Sequence, residues 1–371
     1  MRRCVRPPRR VRRTGFGSVK GPFTDSESVK GPFTDLYTDF AGTLGRAPVV
    51  HWRGEVRQVL PMLPVQERVH RRSAPVSRAE LDRRGSMVSE DWASLPAAVR
   101  RAIESRTGAV AATVSPDNGR NSDFLATLQT SQGPCFVKGV LTGTRRARAQ
   151  QTEARVGARP NSAAPRLLWE VTADGWHVLG FEALSGHHPS LAPGSPDLPM
   201  VAETVAAMAR ELSPSPVELE KSTDQWAWSA PWRRLSKSDR ELDSWDKAHL
   251  PELLEWERRG IEAVNGNSLV HGDMHPLNIL VSDRARVVDW AWSSVGAPWL
   301  DPAALVLRLI ADGHTPEQAE EWAKAIAAYR DTPAEAVTAF AVLVFGMWAY
   351  RGVFPGLTDV ARQYVRHRLG A

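Results

Sequence analysis

From about residue 87 onward, apolar residues fall into short periodic runs that are missing from the first 86 positions. Leu95 to Arg106, LPAAVRRAIESR, sets Val99 and Ile103 one helical turn apart, with Pro96 in the first turn and Gly108 just past the end. That spacing predicts a short amphipathic helix. Three β-type runs follow, VAATV from Val110, DFLATLQT from Asp123 and CFVKGV from Cys135, parted by the turn formers PDNGRNS and SQGP. They predict an antiparallel meander. A helix-like stretch, Arg145 to Ala158, and two more strands, LLWEVT and WHVLGFEAL, complete the first half.

Beyond Leu184 the period becomes helical. Val201, Val205, Met208 and Leu212 repeat at helical spacing, as do Leu250, Leu254, Ile261 and Val264, and then Ala319, Trp322, Ile326 and Tyr329. These are expected core faces. Ala336 to Tyr350 is nearly apolar but shorter than the roughly 20 residues a bilayer span needs, so it reads as a buried helix, and no membrane partner is expected. Lys221 to Asp246 lacks one clean period and carries Trp226, Trp228, Trp232 and Trp245 among charges. Either the tryptophans anchor an insertion to the core or they wall a binding site.

One stretch breaks the pattern with chemistry: HGDMHPLNILVSDRARVVDW, His271 to Trp290. Ile279 to Val281 and Arg286 to Val288 are strand-like, and Ser282 to Arg284 are turn formers, which predicts a hairpin. With the turn centred between Asp283 and Arg284, residues whose numbers sum to 567 face each other, so Asn278 would oppose Asp289. An amide oxygen beside a carboxylate suits a hard cation such as Mg²⁺, which prefers oxygen ligands shared with substrate phosphates. Asp273, on the approaching loop, is placed to accept the proton of an attacking hydroxyl.

The string H-G-D-x-H-P-x-N with a later D-W resembles the catalytic and metal-binding segments of the aminoglycoside phosphotransferase and choline kinase superfamily, relatives of the protein kinases. Gly272 stands where protein kinases have arginine, and Trp290 where they have phenylalanine. The resemblance implies an α+β, two-lobed protein kinase-like fold, with a small antiparallel β lobe over residues 87–183 and a larger, mostly helical lobe over 184–371. It implies Asp273 as catalytic base, Asn278 and Asp289 as Mg²⁺ ligands, and Lys138 paired with Glu153 at the nucleotide phosphates. Gly119 and Ser122 fall in the phosphate loop, a thin one, and Glu182 and Leu184 at the hinge that hydrogen-bonds the purine of ATP, with GTP equally compatible. His271 is expected to brace the loop. Gly296, Pro298 and Asp301 extend the likeness, and Asp301 before Pro302 reads as a structural N-cap, with a contact to the acceptor as its second reading. The expected reaction is phosphoryl transfer to a hydroxyl of a small molecule.

Charge alters the picture at one end only. The whole chain is +5, yet residues 1–86 hold 18 Lys and Arg against 8 Asp and Glu, leaving the remainder at −5. An acidic body gives no footprint for a phosphate backbone, so no nucleic-acid partner is expected. The tail MRRCVRPPRRVRR, the repeat SVKGPFTD at Ser18–Asp25 and Ser28–Asp35, and the missing period read as a disordered basic extension, with Met87 as a candidate true start. Cys4 and Cys135, far apart and without metal-type spacing, fit a reducing cytoplasm. Asp301, Glu317, Glu320 and Glu321 suggest a carboxylate-rich pocket for a cationic acceptor such as an aminoglycoside. Two rival readings stand beside the kinase: a catalytically silent nucleotide-binding relative, and a metal-dependent hydrolase built on His271, Asp273 and His275. The pair His187–His188 in GHHP reads as loop, and sequence leaves the oligomeric state open.

Overall fold

The computed structural model describes residues 91–116, 122–159, 161–352 and 354–370. The basic tail, its repeat, Cys4, Met87 and Gly119 lie outside the described residues. Helix α1 (Ala97–Thr107) starts two residues later than its pattern predicts, because Pro96 takes the extended position before the helix rather than its first turn. Strands β1 (Val110–Val114), β2 (Phe124–Thr130) and β3 (Gly133–Leu141) form the predicted meander. Helix α2 (Arg145–Gly157) then leads to β4 (Leu167–Ala173) and β5 (Trp176–Glu182). The sheet order is β1-β2-β3-β5-β4, with every pairing antiparallel.

Alternation along the strands gives this sheet two apolar faces. On one, Val99 and Ile103 of α1 pack with Phe124, Leu128, Val137, Trp176 and Val178. On the other, Ala154 of α2 meets Leu179 and Phe181. Lys138 and its β5 neighbour Leu179 sit opposite each other in register. The only described cysteine, Cys135, is buried in β3, and burial pushes its thiol up to about 11.

The second lobe contains α3 (Leu198–Glu211), α4 (Ser222–Ser229), α5 (Pro231–Leu235), α6 (Ser244–Ala248), α7 (Leu250–Ala263), β6 (Ser268–Val270), β7 (Ile279–Val281), β8 (Ala285–Val287), β9 (Ser294–Gly296), α8 (Leu300–Ala311), α9 (Pro316–Lys324), α10 (Ala327–Arg330), α11 (Ala334–Arg351) and α12 (Pro355–Leu369). The pattern through Ala319 and Tyr329 is thus two helices, α9 and α10, rather than one. Helix α11 is the axis of the core: Val337 to Trp348 is buried without interruption, although by length and composition alone the helix is apolar enough to cross a bilayer.

The Trp-rich segment attaches to that axis. Trp226 meets Phe340 edge-on, and Trp232 lies edge-on to Phe345 with ring centroids 4.9 Å apart while its indole N–H donates to the Val342 carbonyl at 2.9 Å. Gly346 makes room for it, since a Cβ there would stand 2.4 Å from the Trp232 indole nitrogen. Helix α7 buries Leu253, Glu257 and Gly260 at the centre of its inward face, with the predicted Leu250, Leu254 and Ile261 packed against the core beside them and Val264 buried just past its end. The Glu257 carboxylate accepts the backbone N–H groups of Trp232 and Arg233 at 2.6 and 3.1 Å, supplying partners that the start of α5 lacks. Trp228, by contrast, is 56% exposed.

Trp232→Ala should therefore lower stability by about 3–5 kcal/mol, the range for removing a buried aromatic. Urea unfolding of the variant against the parent chain checks this, and a loss under ~1 kcal/mol would mean that the insertion is not anchored through Trp232.

Candidate active site

The segment from His271 to Trp290 forms the cleft side of the large lobe. Hairpin β7–β8 exists, but its register differs from the predicted one: Ile279 pairs with Val287, Leu280 with Arg286 and Val281 with Ala285, so paired numbers sum to 566. The turn is the three residues Ser282 to Arg284, closed by the Ser282 N–H on the Arg284 carbonyl. Burial decides this register. Ile279, Val281, Ala285 and Val287 all face the core, whereas the predicted register would have set Val281 against Arg286. Asn278 consequently accepts from the backbone of Val288, not Asp289. Asp289 comes to the site by another route, a left-handed backbone with φ 64° that turns the chain into the Trp290–Trp292 turn.

The loop before the hairpin is irregular, and buried partners hold it. Asp301 lies in the first turn of α8, not at its N-cap, which is Trp299. Its side chain faces away from its own helix and accepts the backbone N–H groups of His271 at 2.8 Å and Gly272 at 3.0 Å. Burial lifts the Asp301 carboxyl above the usual range. Gly272 has φ 78°, and a Cβ there would meet the Trp292 carbonyl at 2.8 Å. Both ring nitrogens of His271 are used: Nε2 lies 2.9 Å from the Val288 carbonyl, and Nδ1 accepts the Asp273 N–H at 3.2 Å. This fixes the Nε2–H tautomer and makes the imidazole a brace. The Asn278 amide donates to the Asp273 carbonyl at 2.9 Å and toward its carboxylate at 3.4 Å. His275 Nε2 stands 3.6 Å from the same carboxylate.

From the small lobe, Lys138 reaches across. Its ammonium is 2.7 Å from Glu153 on α2 and 2.6 Å from Asp289. Burial alone would lower the lysine value, but Asp289 and then Glu153 outweigh it and hold the ammonium above its ordinary range. Burial lifts Glu153, whereas at Asp289 the Lys138 charge overcomes burial and holds the carboxyl low. Helix α2 lies against the Trp290–Trp292 turn, so the element carrying Glu153 also packs behind Asp289.

Other expected site residues are placed differently. Ser122 is buried just ahead of β2, and residues 117–121 before it lie outside the described residues. The Glu182 side chain is a strut between the lobes: its carboxylate takes Arg166 from the small lobe at 3.1 Å and Arg286 from β8 at 2.9 Å, and its N–H donates to the Arg166 carbonyl. Leu184 lies half-buried in the linker that follows. Arg286, unremarkable in sequence, is the residue the motif reading misses. An alternating strand position with a charge between apolar neighbours is its only signal. Glu317, Glu320 and Glu321 do not gather with Asp301; they pair with His367, Arg368 and Lys324 around α9 and α12. The charge-based case for a cationic acceptor therefore fails at these residues.

Among the described residues no group of three His, Cys, Asp or Glu has metal-cage geometry, so His271, Asp273 and His275 do not gather as the hydrolase reading expects, and His187–His188 sit in a loop. His187 instead faces Asp197, and its backbone bridges Val281. The Trp-rich segment does reach the loop. Ser222, Gln225 and Trp226 line a cavity of about 20 Å³ together with Gly272 and Asp301.

A five-stranded antiparallel lobe contributing a lysine and glutamate, over a helical lobe contributing His-Gly-Asp, Asn and Asp, defines a phosphotransferase of the kinase-like class. Residues 114–339 match the family described as "Phosphotransferase enzyme family" (APH), and the chain belongs to it. Similar folds include a thermostable mutant of the aminoglycoside phosphotransferase APH(4)-Ia, at 15% identity and TM-score 0.50, covering 73% of this chain and 99% of that one. Another crystal of that enzyme is a ternary complex with ADP and hygromycin B, at 14% identity and TM-score 0.50, covering 73% and 97%. A mutant of aminoglycoside 2′-phosphotransferase-IIIa bound to GDP shows 14% identity and TM-score 0.50, covering 71% and 90%. At these identities the likeness is one of fold. No curated protein sequence matches the chain.

Asp301→Ala should strand two buried loop N–H groups, at about 1–3 kcal/mol each. Thermal unfolding should register that loss together with a drop in turnover, and Asp301→Asn, which keeps one acceptor oxygen, should fall between. Unchanged stability and turnover in Asp301→Ala would show that the loop is held by something else.

Proposed function

We propose that the chain transfers the γ-phosphate of ATP directly to a hydroxyl of a small molecule, with Asp273 as the residue that receives the hydroxyl proton. The observation that carries this reading is the convergence of Glu153 and Asp289, one from each lobe, within 2.7 Å of the Lys138 ammonium, next to a loop that presents Asp273 and Asn278. GTP fits as well as ATP, since a hinge that recognises purine through its backbone carries no side-chain code.

The donor set fits Mg²⁺. Asn278 spends its N–H groups on Asp273, which leaves the amide oxygen, and Asp289 contributes a carboxylate held in its charged form. When bound, the ion neutralises the charge spread over the transferring phosphates. Lys138 supplies the second positive charge at the phosphates, and Glu153 orients it. Asp273, steadied by Asn278 and by the His271 ring, orients the acceptor hydroxyl and takes its proton. Positioning and charge neutralisation suffice for such a transfer. The acceptor class we favour is an aminoglycoside-like polyol, supported by the fold's neighbours rather than by a carboxylate cluster here.

Asp289→Ala should abolish turnover. Asp273→Asn should keep nucleotide affinity while lowering kcat by roughly 10²–10⁴ fold, the size of a general base contribution. Steady-state kinetics over a hydroxyl acceptor panel, with ADP affinity by calorimetry, separates the two. Parent-like turnover in Asp273→Asn would rule out its role as base.

A further inference from the structure

The segment GHHP, Gly186 to Pro189, follows the linker that is expected to seat the purine, and it takes no part in the transfer step. Its backbone lies along β7. His187 exchanges both main-chain hydrogen bonds with Val281, its N–H donating to the Val281 carbonyl at 3.0 Å and its carbonyl accepting the Val281 N–H at 2.8 Å. Gly186 allows this approach, since a Cβ there would stand 2.4 Å from the Val281 carbonyl oxygen. An antiparallel ladder repeats such an exchange at every second residue, so its next rung would set residue 189 against Ile279. That rung cannot form. Residue 189 is a proline with no N–H to give, and the Ile279 N–H turns instead to the Pro276 carbonyl. The Ile279 carbonyl thus lacks the backbone donor that the ladder would supply, and a side chain takes its place: Nδ1 of His188 lies 2.9 Å from that oxygen. A carbonyl only accepts, so Nδ1 carries the proton.

We propose that His188 is a positioning residue for the nucleotide, a side-chain rung that completes the attachment of the purine-binding linker to β7. This rests on the reading of that linker as the seat of the nucleotide base. Ile279 directly follows Asn278, so one short strand holds the linker along one edge and begins at the amide assigned to the metal. Along its other edge β7 is bonded to β8, where the Val288 N–H donates to the Asn278 carbonyl at 2.9 Å. The spacing between the base and the phosphate end of the site is therefore set through backbone, and the His188 bond is its last link. The neighbouring histidine is not equivalent. The His187 ring faces Asp197 at 3.1 Å, but at 63% exposure such a pair contributes little. The His188 side chain is also exposed, so replacing it should spare the core.

The test is ADP affinity by isothermal calorimetry on the full chain and on His188→Ala, His188→Asn and His188→Asp. Asparagine and aspartate match in size, and only the amide can donate to the Ile279 carbonyl. Loss of the donor should weaken ADP binding about three- to tenfold in His188→Ala, the size of one net hydrogen bond, and at least as much in His188→Asp. His188→Asn should stay within about twofold of the parent. Thermal unfolding midpoints of the alanine and asparagine variants should remain close to each other, because the effect is local. Equal ADP affinity in the parent and His188→Ala overturns the role of His188 while leaving the linker a nucleotide seat. An affinity loss that follows a fall in unfolding midpoint, with asparagine no better than aspartate, overturns it as well. A parent chain that binds neither ADP nor GDP overturns the nucleotide reading itself, and this inference with it.

Discussion

Everything chemical in this chain hangs on a loop with no regular hydrogen bonds of its own, and one carboxylate makes that loop possible. Asp301 accepts the N–H groups of both His271 and Gly272, giving buried partners to a backbone that neither helix nor sheet supplies. Around that anchor the rest follows by elimination. Gly272 is required because the chain must pass the Trp292 carbonyl in a left-handed conformation. The His271 ring joins the loop to Val288 on the far side of the hairpin, and Asn278 ties the Asp273 main chain from within. Asp273 is thereby presented on a rigid frame, although it lies on neither a strand nor a helix.

The second organising element is electrostatic. Lys138, Glu153 and Asp289 join the two lobes through a buried ion triplet, and the Arg166–Glu182–Arg286 strut joins them again at the linker. These contacts differ in energy. The strut is partly open to solvent, and pairs of that kind contribute on the order of 0–1 kcal/mol, so it serves geometry more than stability. The triplet is desolvated. Breaking any one of its partners leaves a buried charge unmatched, which makes it expensive to disturb by mutation.

Much of this was legible in the sequence, and the misses have physical causes. The five strands were readable because alternating burial imposes a period of two, and Lys138 and Glu153 because the order of elements places them. The hairpin register was missed by one residue. Turn formers alone cannot tell a two-residue from a three-residue turn, and the decision came from which apolar side chains reach the core. Asp301 was read as a cap for its own helix because the pattern Asp-Pro is local, while its real partners lie thirty positions away. The Glu182–Arg286 pair and the pairing of the α9 carboxylates are invisible for the same reason: charge pairing across elements is set by tertiary contacts, which leave no spacing in the chain. Of the two readings of the Trp-rich segment, the anchoring one holds, since Trp226 and Trp232 pack it against Phe340 and Phe345.

The central claim is that phosphate leaves the nucleotide for an organic hydroxyl and not for water or nowhere. Phosphorus-31 nuclear magnetic resonance on the full chain, incubated with ATP, Mg²⁺ and a panel of aminoglycosides and other polyols, reads this directly. The account predicts ADP and a new phosphomonoester resonance appearing together in equal amounts with at least one acceptor. ATP that stays intact across the panel, or ADP accompanied by inorganic phosphate alone, would contradict it.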